Sequence, residues 1–138
     1  MKQITIKNLK QPLENDVNED IDWFCESLGI FGERDKNKTS VSIFKKIIND
    51  SFKGKNASVD SIAEEGKISR TTVMHHINVM KDAGLVVKEG TFFELRARSL
   101  QKIVDEIELD IERTLNSIRK IAEDIDNEMA LPVRPKKE

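Results

Sequence analysis

The sequence predicts a mainly α-helical fold (α+β), in which a helical domain with a small β-hairpin is followed by one long C-terminal helix. Three observations support this prediction. Apolar residues recur at helical spacing in several segments before residue 84. Two short runs rich in β-branched and aromatic residues, 85–88 and 91–96, are separated by a two-residue turn signal. From residue 99 to residue 129, no glycine or proline interrupts the chain.

The length of 138 residues suggests one compact domain with an appendage. We divide the chain into an N-terminal extension with a short helix (1–38), a central domain (39–98), a coiled-coil-like helix (99–129) and a disordered tail (130–138). Basic residues outnumber acidic ones by three in residues 40–98, and acidic residues outnumber basic ones by five in 99–128. This charge distribution is consistent with phosphate binding by the central domain alone.

The N-terminal extension has only short patterns. Alternating residues 2–7 predict a short strand, and polar residues 8–19 predict a linker. A short amphipathic helix is expected near 20–30, with Gly32 ending it, and 33–38 form a charged loop. The apolar residues of that helix are Ile21, Trp23, Phe24, Leu28 and Ile30.

Two helices then precede residue 67. Thr39 or Ser40 is expected to cap a helix that runs to about Phe52 and buries Val41, Phe44, Ile47 and Ile48. Gly54-Lys55-Asn56 predicts a turn, and Ser58 is expected to cap a third helix that Gly66 closes. Because serine stands three residues after Ser58, no capping box is expected there.

The fourth helix carries the candidate binding surface. Ser69 opens it, and Gly84 stops it. If each residue turns the helix by about 100°, Val73, Ile77 and Met80 share a buried face, with His76 at its edge. The opposite face carries Thr71, His75, Asn78 and Asp82.

Helix, short helix, turn, helix and hairpin, in that order, predict a winged helix-turn-helix in which residues 69–83 form a recognition helix for the major groove. Hydroxyl groups can contact phosphates, and histidine and asparagine can contact base edges. The candidate DNA-binding residues are Ser69, Arg70, Thr71, Thr72, His75, Asn78 and Lys88. For Arg96 and Arg98, contact with the DNA backbone and neutralisation of the acidic helix remain equal alternatives.

A family resemblance supports this interpretation. Val73, His76-Ile77, Met80 and Gly84-Leu85-Val86 stand in the order typical of the ArsR/MarR-like winged-helix regulators, and resemble small archaeal members above all. The preceding Ser61-to-Ser69 segment is similar to their supporting helix and turn. The resemblance covers about residues 40–98 and implies sequence-specific DNA binding and transcriptional regulation. The hairpin is shorter and less basic than is common in that family, and the paired cysteines of its metal sensors are missing, so a metal-sensing role is not expected.

The long helix has a heptad pattern. With Val104 at position a, seven of the eight a and d positions between residues 100 and 125 are apolar, and Thr114 is the exception. This pattern predicts a dimer, in which two recognition helices would enter successive major grooves about 34 Å apart. Ile at both a and d does not by itself select two strands over more. The predicted dimerisation residues are Leu100, Val104, Ile107, Ile111, Ile118, Ile121 and Ile125.

Other classes of function find little support in the sequence. No phosphate-binding loop, nucleophile motif or metal-ligand cluster is recognisable, so we expect no enzyme, cofactor or metal. Adjacent His75 and His76 point in different directions on a helix and are a poor metal pair. Cys25, the one cysteine, is expected to be a small core residue. No segment reaches the roughly 20 apolar residues of a membrane span, and we expect a cytoplasmic, nucleoid-associated protein.

The leading hypothesis is therefore a homodimeric, double-stranded-DNA-binding transcriptional regulator. One alternative is a winged helix used for protein contacts in a larger assembly, which the small positive charge and the short hairpin favour. Another is an architectural chromatin protein that binds DNA without sequence preference, with steep salt dependence.

Overall fold

A computed structural model describes residues 3–30 and 38–130. It has the mainly α winged-helix arrangement that the sequence predicts. Within the described residues, the order is α1 (Val17–Ser27), α2 (Thr39–Phe52), β1 (Ala57–Ser58), α3 (Val59–Gly66), α4 (Arg70–Asp82), β2 (Val86–Glu89), β3 (Phe92–Leu95) and α5 (Leu100–Glu128). These residues fall into two compact units, divided between Ile103 and Val104.

Helix α1 begins earlier than predicted. Asp16 caps it, because its carboxylate accepts a hydrogen bond of 2.8 Å from the Asn18 N–H, so the predicted linker ends before residue 17. The predicted strand near the N-terminus is wrong, since residues 3–7 lie outside any strand. Instead, the Lys7 N–H donates to the Ser27 carbonyl at the end of α1. The predicted end is also wrong, because α1 stops at Ser27 and Gly29 takes the left-handed conformation (φ 75°), so Gly32 does not end the helix. The predicted loop up to residue 37 lies outside the described residues.

Helix α2 is the centre of the domain core. It buries the predicted apolar face, and the ring of Phe44 stacks on that of Phe24 from α1 with their centroids 6.1 Å apart. The predicted cap is wrong, because Lys38 occupies the N-cap position in the left-handed conformation (φ 52°) and makes no side-chain capping bond. Thr39 and Ser40 lie inside the first turn of the helix.

Helix α3 differs from prediction in how each of its ends is capped. Ser58 is the N-cap as expected, but a capping box is present: the Ser58 hydroxyl accepts from the Ser61 N–H, and the Ser61 hydroxyl accepts from the Ser58 N–H. A serine hydroxyl accepts hydrogen bonds as a glutamate carboxylate does, which explains the difference. At the other end, Lys67 rather than Gly66 takes the left-handed position (φ 52°).

The small sheet has three antiparallel strands in the order β1-β3-β2. Strands β2 and β3 form the predicted hairpin, with Glu89 opposite Phe92, so the turn is Gly90-Thr91, one residue later than predicted. Gly90 has a φ of 62°, which suits a two-residue hairpin turn. Strand β1 was not predicted, because its two residues form no pattern, and it pairs with β3 through Ala57 opposite Phe93.

Buried apolar side chains from α2, α4 and the sheet form one core. Phe44, Ile47, Val73, Ile77 and Met80 each have 0% of their surface exposed. The Ser51 hydroxyl of α2 also accepts a hydrogen bond of 3.2 Å from the Leu95 N–H of β3. The core formed by α2, α4 and the sheet therefore fixes α4 and the hairpin relative to each other.

The thiol of Cys25 belongs to this core. It is fully buried, and desolvation, with a smaller contribution from Asp22, raises its pKa from 9.0 to about 12. At pH 8 we expect a thiol reagent to react about a thousandfold more slowly with the folded chain than with the chain in denaturant, because the thiolate fraction differs by that factor. Equal rates would contradict burial of the thiol.

The same shift predicts the effect of alkaline pH on stability. Because the folded-state pKa is raised, the contribution of Cys25 is fully present below pH 9.0 and is lost as the pH rises towards about 12. Cys25→Ala should remove the part of the alkaline loss in the free energy of unfolding that comes from Cys25. Urea unfolding of both chains between pH 9 and pH 12 measures this difference.

Candidate nucleic-acid interface

Helix α4 presents the two faces that its sequence predicts. Val73, Ile77 and Met80 are buried, and His76 is half-buried at the edge of that face. The opposite face is exposed and carries Thr71, His75, Asn78 and Asp82. A polar face of this kind, held by a packed apolar face, can present hydroxyl, imidazole and amide groups to a ligand without disturbing the core.

Ser69 and Thr72 organise the start of α4. The Ser69 hydroxyl accepts a hydrogen bond of 3.1 Å from the Thr72 N–H and donates one of 2.8 Å to the Thr72 hydroxyl oxygen. Ser69 is therefore the predicted N-cap. Thr72 is half-buried and engaged in the cap, so its main role in the free chain is to support the helix start.

The end of α4 is equally well defined. Gly84 has a φ of 84°, and its N–H donates to the Lys81 carbonyl. The Leu85 N–H donates to the Met80 carbonyl at 3.0 Å. This pair of bonds is a Schellman motif, in which glycine is preferred because the left-handed conformation strains other residues. It confirms the predicted stop and directs the chain into β2.

Arg70 has a partner that the sequence did not predict. Its Nε lies 2.8 Å from Oδ1 of Asp60, and both side chains are 73% exposed. Arg70 is the first residue of α4 and Asp60 is in the first turn of α3, so the ion pair connects the two helices of the helix-turn-helix. The only available signal was the opposite charge of the two side chains, and charge alone does not identify a pair ten residues apart.

A broad open groove separates the start of α4 from the hairpin. Its volume is about 950 Å³, and it is lined by both members of the Asp60–Arg70 pair and by Thr71, Met74, Lys88 and Phe92 among others. The groove therefore brings three predicted DNA-binding residues, Arg70, Thr71 and Lys88, together with Asp60, Met74 and Phe92, which were not predicted to bind DNA. Phe92, on the hairpin, is 41% exposed.

The α3 helix is tied to α2 by a charged cluster away from this groove. Nζ of Lys46 lies 2.6 Å from Oε2 of Glu65 and 3.1 Å from Oδ1 of Asp50. These two hydrogen bonds raise the pKa of Lys46 above its usual value, and the bond to Glu65 has the larger effect. This cluster connects α2 to α3, the helix that carries Asp60.

The two adjacent histidines meet edge to face. Their ring centroids are 5.4 Å apart at an interplanar angle of 64°, with His75 exposed and His76 half-buried. Within residues 3–30 and 38–130, no three His, Cys, Asp or Glu side chains are grouped as metal ligands would be.

No helix in the described part of the chain combines the length and apolar character needed to cross a bilayer.

The predicted dimerisation residues on α5 differ in exposure. Val104, Ile118, Ile121 and Ile125 are between 45% and 59% exposed. Leu100 and Ile111 are half-buried, whereas Ile107 is only 3% exposed. Since Ile107 is buried in the single chain, it offers little surface to a second molecule.

Apolar exposure on α5 continues beyond the predicted set. Leu115 and Met129 are 48% and 64% exposed, and Ala122 is also exposed. With Ile111, Ile118 and Ile125 they recur at alternating spacings of four and three residues. We name these six residues, 111, 115, 118, 122, 125 and 129, the α5 stripe.

Comparison with known proteins adds one finding. No curated protein and no solved structure matches the chain. The family model described as "Bacterial regulatory protein, arsR family" matches residues 48–88, which include the last turn of α2, helices α3 and α4, and part of β2. Over this segment the chain is similar to the arsR-family regulators, and the match supports a DNA-binding transcriptional regulator with a helix-turn-helix of the ArsR type.

Proposed function

We propose that the protein is a sequence-specific DNA-binding transcriptional regulator that acts as a homodimer, with α4 inserted in the major groove. The observation that carries this proposal is the exposed Thr71, His75 and Asn78 face of α4, beside Arg70 and the groove that leads to the hairpin. A helix of this size fits the major groove, where base edges offer a distinct pattern of donors and acceptors.

The polar residues would divide the work of binding. His75 and Asn78 have the donors and acceptors to contact base edges, and the Thr71 methyl group suits a thymine methyl. Ser69 and the first amides of α4 would contact a phosphate, and Lys88 on β2 would contact another. Thr72 would act indirectly through the cap. Such a protein works on chromosomal DNA, so we expect it in the cytoplasm with the nucleoid.

The α5 stripe supports the dimer. Six apolar residues on one face of an exposed helix would leave a large apolar surface in water, which soluble monomers rarely do. Their four-and-three spacing is that of a coiled-coil seam, which a second copy of the same helix fits. The stripe shares Ile111, Ile118 and Ile125 with the predicted dimerisation residues and adds Leu115, Ala122 and Met129. It does not include the predicted Leu100, Val104, Ile107 and Ile121.

The symmetry of such a dimer constrains its DNA site. A two-fold axis would relate the two copies of α4, and half-sites about 34 Å apart would then form a palindrome. Each copy contributes the same contacts, so the two half-sites should have the same sequence on opposite strands.

Selection from a random duplex library at about physiological salt tests this function. Enrichment of a palindrome is the expected result. Binding without enrichment would contradict sequence specificity and indicate an architectural protein. The absence of binding would contradict the DNA-binding proposal and favour a winged helix that contacts other proteins.

His75→Ala should weaken binding to the selected site about tenfold, because it removes a base contact from the exposed face of α4. The affinity for random duplex should change much less. Fluorescence anisotropy with both duplexes measures the two effects. Asn49→Ala, an exposed polar residue on α2, is the matched control and should leave both affinities unchanged. An unchanged affinity of the His75 variant for the selected site would argue against base reading by this face.

A further inference from the structure

The ion pair between Asp60 and Arg70 is too exposed to be explained by stability. Both side chains are 73% exposed, and ion pairs in that setting contribute little to folding because water screens them. Neither carboxylate nor guanidinium packs in the core. The contact nevertheless joins α3 to α4 at the point where both helices begin, beside the open groove.

The geometry of the pair leaves the guanidinium able to bind something else. Asp60 contacts Nε, at 2.8 Å. The two terminal nitrogens of Arg70 carry four further N–H donors in a planar fork. Such a fork fits the O6 and N7 acceptors of guanine in the major groove, or two phosphate oxygens.

The carboxylate decides between these two uses. A negative charge beside Arg70 would repel the DNA backbone and reduce the benefit of a simple phosphate contact. It would help a base contact, however, because it restricts a long flexible side chain to one orientation before DNA arrives. Asp60 would thus lower the overall affinity for DNA and increase the preference for one base.

We propose that Asp60 is a positioning residue that orients Arg70 to recognise one guanine in each half-site. This inference rests on the proposed function and adds a specificity-determining pair to it. Arg70 makes the base contact, and Asp60 acts only through Arg70.

The test is selection of duplex DNA by the full chain and its variants, followed by affinity measurements on the selected site and on its single-base substitutions. Asp60→Asn should reduce the preference for guanine at one position in each half-site about tenfold. The same variant should bind random duplex about threefold more tightly at low salt, since it has lost a repulsive charge. Arg70→Ala should lose the preference at the same position.

Glu64→Gln is the matched control, because it removes a carboxylate from the exposed surface of the same helix, α3, away from Arg70's contact. It should leave the guanine preference unchanged. Thermal unfolding of all variants shows that the fold is retained, as expected for exposed side chains. A merely structural role of Asp60 would change the melting temperature and leave base preference as it was.

Three outcomes would overturn the inference. A wild-type chain that selects no sequence overturns it together with the proposed function. A wild-type chain that selects a site, with an Asp60→Asn variant of unchanged preference, overturns the role of Asp60 alone. If Arg70→Ala lowered the affinity for all sequences equally, Arg70 would be assigned to the DNA backbone instead. The slope of log affinity against log salt concentration should then fall by about one.

Discussion

Replacement of Phe44 by alanine is expected to lower the free energy of unfolding by about 3–5 kcal/mol. Phe44 is fully buried in α2, and its ring stacks on Phe24 of α1. The substitution removes a large apolar side chain from the centre of the core and leaves a cavity that the surrounding helices fill only in part. Urea unfolding followed by circular dichroism, at one fixed protein concentration, measures the change.

Phe52 provides the matched control for this experiment. It lies at the end of the same helix and undergoes the same change of side chain, but it is 58% exposed. Phe52→Ala should therefore cost less than about 1 kcal/mol. If the two variants lost equal stability, α2 would not bury the face that the structure assigns to it.

Ile118→Asp is expected to convert the proposed homodimer to monomers at micromolar concentration. Ile118 is 59% exposed at the middle of the α5 stripe, so an aspartate there costs little in the single chain. In a dimer, the same carboxylate would be buried in an apolar seam without a partner, which is strongly unfavourable. Sedimentation velocity measures the change in mass.

The loss of the dimer should also weaken DNA binding. In the proposed dimer, the second copy of α4 would bind its half-site at high effective concentration, so a monomer should bind a palindrome about a hundredfold more weakly. Its affinity for one isolated half-site should be unchanged. Asn116→Asp adds the same charge on the opposite side of α5 and should remain dimeric. A dimer that survives Ile118→Asp would place the interface away from the α5 stripe.

Local signals predicted most of the helices well. The buried and exposed faces of α4 follow from helical periodicity, and its ends follow from Ser69 and Gly84, whose capping bonds lie within a few residues of them. The range of α5 differs from prediction by one residue at each end. In these segments the interactions that form the helix and end it are between residues close in sequence, so they can be predicted from the sequence.

Predictions failed where the cause lay in distant residues. Strand β1 exists because Ala57 and Ser58 meet Phe93 and Phe92 across the sheet, and two residues alone form no pattern. The first residues of the described chain alternate like a strand, but Lys7 makes its bond to Ser27 at the end of α1 instead. Pairing partners far along the chain decide such cases.

The order of helices and hairpin, the two faces of α4 and the apolar pattern of α5 follow from the amino-acid sequence, because periodicity, caps and turn residues act locally. The contact between Asp60 and Arg70 and the place of Phe92 at the same groove are visible only in the folded chain. These facts depend on which surfaces the packed chain brings together and which it leaves in water. A periodic pattern marks a residue as apolar or polar, but packing determines what that residue contacts.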